Sequence, residues 1–197
     1  FFLASGHGGN DPGAVSDGYT ERDFVESVID KAVEILRGES LHETDLVVLD
    51  HEKKLIGNVK YINENSNNPG HDLALEVHVN SNVGLPGTGT ETYFGHVEFA
   101  TEIQEEVVRK LRLKDRGIKP GNHLAFNREV KCASAILELG FVNNPVDRER
   151  ITQVGAEALV AGILRATGSR RGGVPEKKDP LQMILDLLRK IARFLRL

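Results

Sequence analysis

The segment LALEVHVN, from Leu73 to Asn80, alternates strictly: Leu73, Leu75, Val77 and Val79 share one side of an extended chain, and Ala74, Glu76, His78 and Asn80 share the other. Few folds can use such a strand. Its apolar side has to be covered, while its other side has to find work for a carboxylate, an imidazole and an amide. The flanking sequence supplies the cover. Apolar runs at 1–5, at 46–50 (LVVLD) and at 134–140 (SAILELG) read as further buried strands, and TETYF at 90–94 as a shorter one. Between them, apolar residues recur at helical spacing. Phe24, Val25, Val28, Ala32 and Ile35 follow Thr20, a residue able to cap, with Asp23 three positions on. Leu55, Ile56, Val59 and Ile62 mark a second helix, and further helices are expected over 97–113 and from about 147 to 166. Strands alternating with helices in this way predict an α/β layer fold. Its mostly parallel mixed sheet is flanked by helices, with TETYF as the antiparallel element. With 40% hydrophobic residues in a chain of 197, one domain over 1–167 is expected.

The remainder reads differently. Residues 168–180 are rich in Gly, Pro and charge, the composition of a linker. Beyond them, Leu181, Ile184, Leu185, Leu188, Ile191, Ala192 and Leu195 recur at helical steps, with Arg189, Lys190, Arg193 and Arg196 between them. This predicts a basic amphipathic helix over 181–197, able to lie in an anionic membrane with Leu188 and Leu195 on its buried face; packing against the domain or a second copy is the alternative. The helix carries a formal charge of +3, which leaves −7 on the rest of a chain whose net charge is −4. A domain so acidic offers no electrostatic footing for nucleic acid. No run approaches the ~20 apolar residues of a membrane span, and position 1 opens no signal peptide. A soluble protein made in the cytoplasm is therefore expected, a secreted form being left open. The single cysteine, Cys132, reads as a small buried apolar residue.

Chemistry is expected where the strands end. His7 follows the first strand, Glu21 opens the first helix, and His78 and Glu138 lie near strand ends. Two imidazoles and a carboxylate make a reasonable Zn²⁺ ligand set with a position left for water, and Glu138, in an apolar strand, has the surroundings that suit a general base. By residue type and spacing this is one plausible cluster and no more, since scattered ligands carry no metal-binding signature. Gly8, Gly9 and Gly13 read as permitting the tight loop that presents His7. Asn143 and Asp147 read as turn and cap groups before the last helix. His42, His51, His71, His96 and His123 read as solvated.

The motifs themselves are more specific. GHGGNDPGAV around His7, TERDF at Glu21, HVNS at His78, GTGTETYF, DRGIK, and ILELGFVNNPVD at Glu138 occur in this order. In that order they resemble the zinc-dependent N-acetylmuramoyl-L-alanine amidases of the amidase-3 type, over residues 1 to about 167. The resemblance implies that His7, Glu21 and His78 bind zinc. It implies that Glu138 is the catalytic base toward a zinc-activated water, and that the substrate is the amide joining N-acetylmuramic acid to L-alanine in bacterial peptidoglycan. It further implies wall lysis, and a chain without an export signal and with a cationic tail is closer to phage or prophage endolysins than to secreted members. Two positions depart from the family pattern. Ala4 stands where many relatives have an acidic residue, and Glu76 replaces a small one. Glu76, Asn80 and Arg116 are candidates for support of the ligands or contact with substrate; Glu76 is expected to pair with a rim cation, and Arg116 to sit in a turn. The competing readings are a zinc peptidase acting on stem peptides, and an inactive wall-binding or membrane-binding protein with a membrane-active tail.

Overall fold

The computed structural model describes residues 1–38, 46–52, 55–84 and 86–171. In chain order the elements are β1 (Phe2–Ser5), β2 (Val15–Ser16), β3 (Tyr19–Thr20), α1 (Glu21–Gly38), β4 (Val47–Val48), α2 (Leu55–Asn65) and β5 (Leu73–Asn80). There follow β6 (Thr90–Phe94), α3 (Val97–Leu111), β7 (Asp115–Pro120), α4 (Ala125–Glu129), β8 (Ala133–Phe141) and α5 (Pro145–Arg171). Six strands form one sheet in the order β4-β1-β5-β8-β6-β7, and β2 pairs with β3 in a small hairpin. The first four are parallel; β6 runs antiparallel to β8, and β7 parallel to β6. This is the mixed, mostly parallel sheet expected, with TETYF antiparallel.

The alternation of β5 decides what lies on each side. Leu73, Leu75, Val77 and Val79 are buried with Leu3, Ala135, Leu137 and Leu139 under α1, α3 and α5, against Val28, Ile29, Phe99, Ile103, Leu159 and Ile163. Each such side chain contributes on the order of 1.5–3 kcal/mol by leaving water. On the opposite side Phe2, Ala4, Ala74 and Ile136 pack with Ile62 of α2 and Phe126 of α4. α2 spans 11 residues and α4 only 5. A cleft lined by Leu55 and Phe126 of these helices opens on this face beside Glu76, His78 and Glu138.

Capping works as the sequence suggested: the Asp23 N–H donates to Thr20 Oγ1 at 3.1 Å. Asp147 does more than cap. Fully buried, it accepts the Thr88 hydroxyl at 2.7 Å and the backbone N–H groups of Gly89 and Phe141 at 2.9 and 3.1 Å. It thereby ties the approach to β6 to the end of β8.

Some elements were not anticipated. DRGIK belongs to a strand, β7, so Arg116 is not in a turn. α3 stops at Leu111, where Arg112 turns into the left-handed region with φ 54°. α5 continues to Arg171, past the Gly168 at which a linker is expected to begin. Phe1–Ala166 form one compact unit. The expected basic helix over 181–197, with Leu188, Arg189, Lys190, Arg193, Leu195 and Arg196, lies outside the described residues. Among the described residues no helix is long and apolar enough to cross a membrane.

Candidate active site

β1 and β5 are parallel neighbours that end at the same edge of the sheet, so His7 and His78 meet there despite their separation in sequence. Glu21, the first residue of α1, reaches between them. His78 Nδ1 lies 2.9 Å from Glu21 Oε1, and His7 Nε2 lies 3.3 Å from Glu21 Oε2. The carboxylate is held in place by the N–H groups of Ala14 and Val79, at 3.0 and 3.1 Å. The outer nitrogens also face carboxylates: His7 Nδ1 meets Asp11 Oδ2 at 3.0 Å, and His78 Nε2 meets Glu76 Oε2 at 3.3 Å. Potential ligand atoms of His7, Glu21 and His78 lie within 4.8 Å of one another, the one such group among the described residues.

Two glycines make this convergence possible. A Cβ on Gly6 would fall 2.0 Å from Cε1 and Nε2 of His78. One on Gly13, which has φ +64°, would fall 2.6 Å from His7 Cδ2 and 2.7 Å from Glu21 Oε2.

The electrostatics are those of a site that favours positive charge. Burial pushes the Glu21 carboxyl up, but its bonds to His7 and His78 outweigh this and hold it well below the usual carboxylate range. The bond to Glu21 raises His7. Burial lowers His78, yet its bonds to Glu21 and Glu76 leave it raised well above an ordinary histidine. Each imidazolium proton occupies a direction in which a neutral ring would offer a lone pair. Two nitrogens and one buried, ionised oxygen converging on a cleft fit a zinc ion, with room for a further ligand from the open side.

Glu138 stands opposite His78 in the β5–β8 register and opposite Glu91 in the β6–β8 register. Its Oε2 is buried with no hydrogen-bond partner among the described residues. Burial pushes its carboxyl up to about 7; the His78 charge pulls against this, and Glu21 and Glu91 add to it. A cleft of about 650 Å³ opens over the group. Leu55, Leu124, Phe126 and Ile136 form its apolar wall, and His7, Glu76, His78 and Glu138 are among its polar lining.

The four residues expected to carry chemistry thus come together. The supporting candidates divide. Among the described residues Glu76 pairs with His78 and with no lysine or arginine at the rim; 3% exposed, it turns into the cleft. Asn80 and Arg116 both turn to Glu91. The Asn80 amide and the Tyr93 hydroxyl donate to Glu91 Oε1, while Arg116 and Lys119 share Oε2. Glu91 and Lys119 went unnoticed in the sequence, as did Gly6; a lone charge inside TETYF was the available signal. His51, His71, His96 and His123 belong to no such group, and His42 is outside the described residues. Cys132 is buried, its thiol pushed up to about 11 by burial.

The fold and site define an α/β hydrolase with a His-Glu-His centre at the carboxyl edge of its parallel strands. The chain belongs to the N-acetylmuramoyl-L-alanine amidase (Amidase_3) family, whose model matches residues 2–167. Peptidoglycan amidase activity goes with that membership. The protein YqiI of Bacillus subtilis (strain 168) is 31% identical over 174 residues, 82% of this chain and 82% of its own length. The endolysin of Bacillus phage SPP1 is 27% identical over 197 residues, 90% of this chain and 70% of that protein. Other curated relatives are longer, and the chain spans 59%, 34% and 20% of three of them. The crystal structure of N-acetylmuramoyl-L-alanine amidase from Clostridium difficile 630 superposes with a TM-score of 0.74 at 25% identity, covering 87% of this chain and 96% of that one.

Proposed function

We propose that this chain hydrolyses the amide between N-acetylmuramic acid and L-alanine in peptidoglycan, with His7, Glu21 and His78 holding zinc and Glu138 acting as general base. The observation that carries the reading is Glu138 itself. It has a buried, unpartnered oxygen beside a converging ligand set, and its carboxyl is raised toward the pH at which it would work. A bound zinc ion supplies Lewis acidity, polarising the amide carbonyl and making water a stronger acid. Glu138 Oε2 takes a proton from water and returns it to the departing alanine nitrogen. Glu21, ionised and fixed by two backbone N–H groups, holds the histidines in register. The wall formed by Leu124, Phe126 and Ile136 keeps the proton transfer in a low dielectric.

Digestion of purified peptidoglycan tests this. Wild type releases stem peptides with free L-alanine amino ends, identified by mass, and chelation of its zinc stops the release. Glu138→Gln keeps its zinc but loses on the order of 100- to 10,000-fold in turnover. Cuts between amino acids of the stem would instead support the peptidase reading, and an undiminished Glu138→Gln would remove Glu138 from the proton transfer.

Likeness to the phage SPP1 endolysin supports a lytic role. Membrane contact by residues 181–197 has its support in the sequence pattern alone. Deletion of 180–197 is expected to abolish liposome binding and spare cleavage of soluble muropeptide; unchanged liposome binding would end the idea.

A further inference from the structure

Glu76 has no task in the reaction just described, yet it occupies one of the most demanding positions in the protein. It is 3% exposed, lines the cleft, and has Oε2 3.3 Å from His78 Nε2. Its Oε1 is buried with no hydrogen-bond partner among the described residues. Among the described residues no lysine or arginine pairs with it, and its one ion-pair partner is His78. A carboxylate in such a place is unfavourable unless something charged is bound beside it.

The two ring nitrogens of His78 settle what it does. Nδ1 points at Glu21, 2.9 Å away, and so at the point where the His7 and Glu21 donors converge. Nε2 points the other way, at Glu76. An imidazole can offer a lone pair at Nδ1 only if its proton sits on Nε2, and a proton on Nε2 needs an acceptor in a place from which solvent is nearly excluded. We propose that Glu76 is a positioning residue for the metal centre: it accepts the Nε2–H of His78, fixing the ring so that Nδ1 faces the ion. The inference rests on the zinc reading above.

His7 shows the same arrangement with the nitrogens exchanged, Nε2 toward Glu21 and Nδ1 toward Asp11 at 3.0 Å. The two acceptors differ in their access to water. The Asp11 side chain is 58% exposed, so water can readily take its place; that of Glu76 is 4% exposed, so water has far less access to it. His78 therefore depends on Glu76 more than His7 depends on Asp11. The carboxylate also adds negative charge close to a divalent ion, which strengthens binding through the ligand it supports.

The test is zinc affinity, measured by chelator competition on the full chain, for wild type, Glu76→Gln and Glu76→Ala. Loss of the acceptor in Glu76→Ala is expected to weaken binding by about 10- to 100-fold. Glu76→Gln keeps an acceptor oxygen at similar volume and is expected to recover most of that loss. Long-range ¹H–¹⁵N spectra of the zinc-loaded wild type should show His78 protonated at Nε2 and metallated at Nδ1. Unchanged affinity in Glu76→Ala overturns the proposal. So does metallation at Nε2, or an equal loss in both variants, which would make Glu76 a direct ligand. Failure of wild type to bind zinc would overturn the metal reading itself, a result distinguishable because it needs no variant.

Discussion

Asp147 and Glu138 are carboxylates near the same end of the molecule, on either side of the end of β8, and their surroundings are opposite. Asp147 is fully buried, and its oxygens accept a hydroxyl and two backbone N–H groups. Among the described residues Glu138 keeps a buried oxygen without a partner, and Glu76, lining the same cleft, does the same. Glu91, one strand over, is of the first kind, with the amide, hydroxyl and two cations spread over its oxygens. Burial alone therefore does not separate structural carboxylates from chemical ones. Between Asp147 and Glu138 satisfaction does: where the protein supplies every partner the group holds the fold, and where partners are withheld the group is free to act on something that arrives, while Glu21 is partnered by the two histidines that would share its ion.

The sharpest way to break this contrast is to remove both kinds. Asp147→Ala leaves the Gly89 and Phe141 N–H groups and the Thr88 hydroxyl without their acceptor, and should destabilise the fold by about 3 kcal/mol in urea unfolding. If its midpoint matched wild type, satisfaction would not be what marks a structural carboxylate.

Glu138→Gln should behave in the opposite way, by a smaller and pH-dependent amount. In metal-stripped protein the wild-type carboxyl is raised to about 7, so the folded state keeps a proton that the unfolded chain releases from an ordinary carboxyl. The stability this proton supports is fully present below the unfolded value and is lost as pH rises to about 7. Glu138→Gln, which never ionises, should therefore melt close to wild type at pH 4 and above it at pH 8. A variant that melts lower at pH 8 would mean that Glu138 is stabilised by a partner.

Much of this could be read in the sequence, for a physical reason. His78 and Glu138 stand out because a charge or an imidazole inside an apolar strand is conspicuous, and the alternation of β5 fixes which neighbours share its face. Glu21 was legible as the first residue after a capping threonine. What escaped notice lacked such contrast. β7 carries Asp115, Arg116 and Lys119 around Gly117 and is mostly half-exposed, so neither apolar period nor turn residues marked it as a strand. Gly6 looks like any glycine in a Gly-rich loop; only the position of the His78 ring, contributed by another strand, shows why a side chain cannot be placed there. The fate of Asn80 and Arg116 depended on Glu91, a partner that no local pattern links to either.

The pairing of β1 with β5 sets Ala4 directly beside Glu76. From the family resemblance an acidic residue is expected at the first of these positions and a small one at the second. Side by side on the same face, they leave the pair with one acid, placed one strand across from where the resemblance puts it. A design that introduced an acid at Ala4 alone would leave the pair with two acids, and one that shortened Glu76 alone would leave it with none. An engineer choosing substitutions has to treat the two sites together.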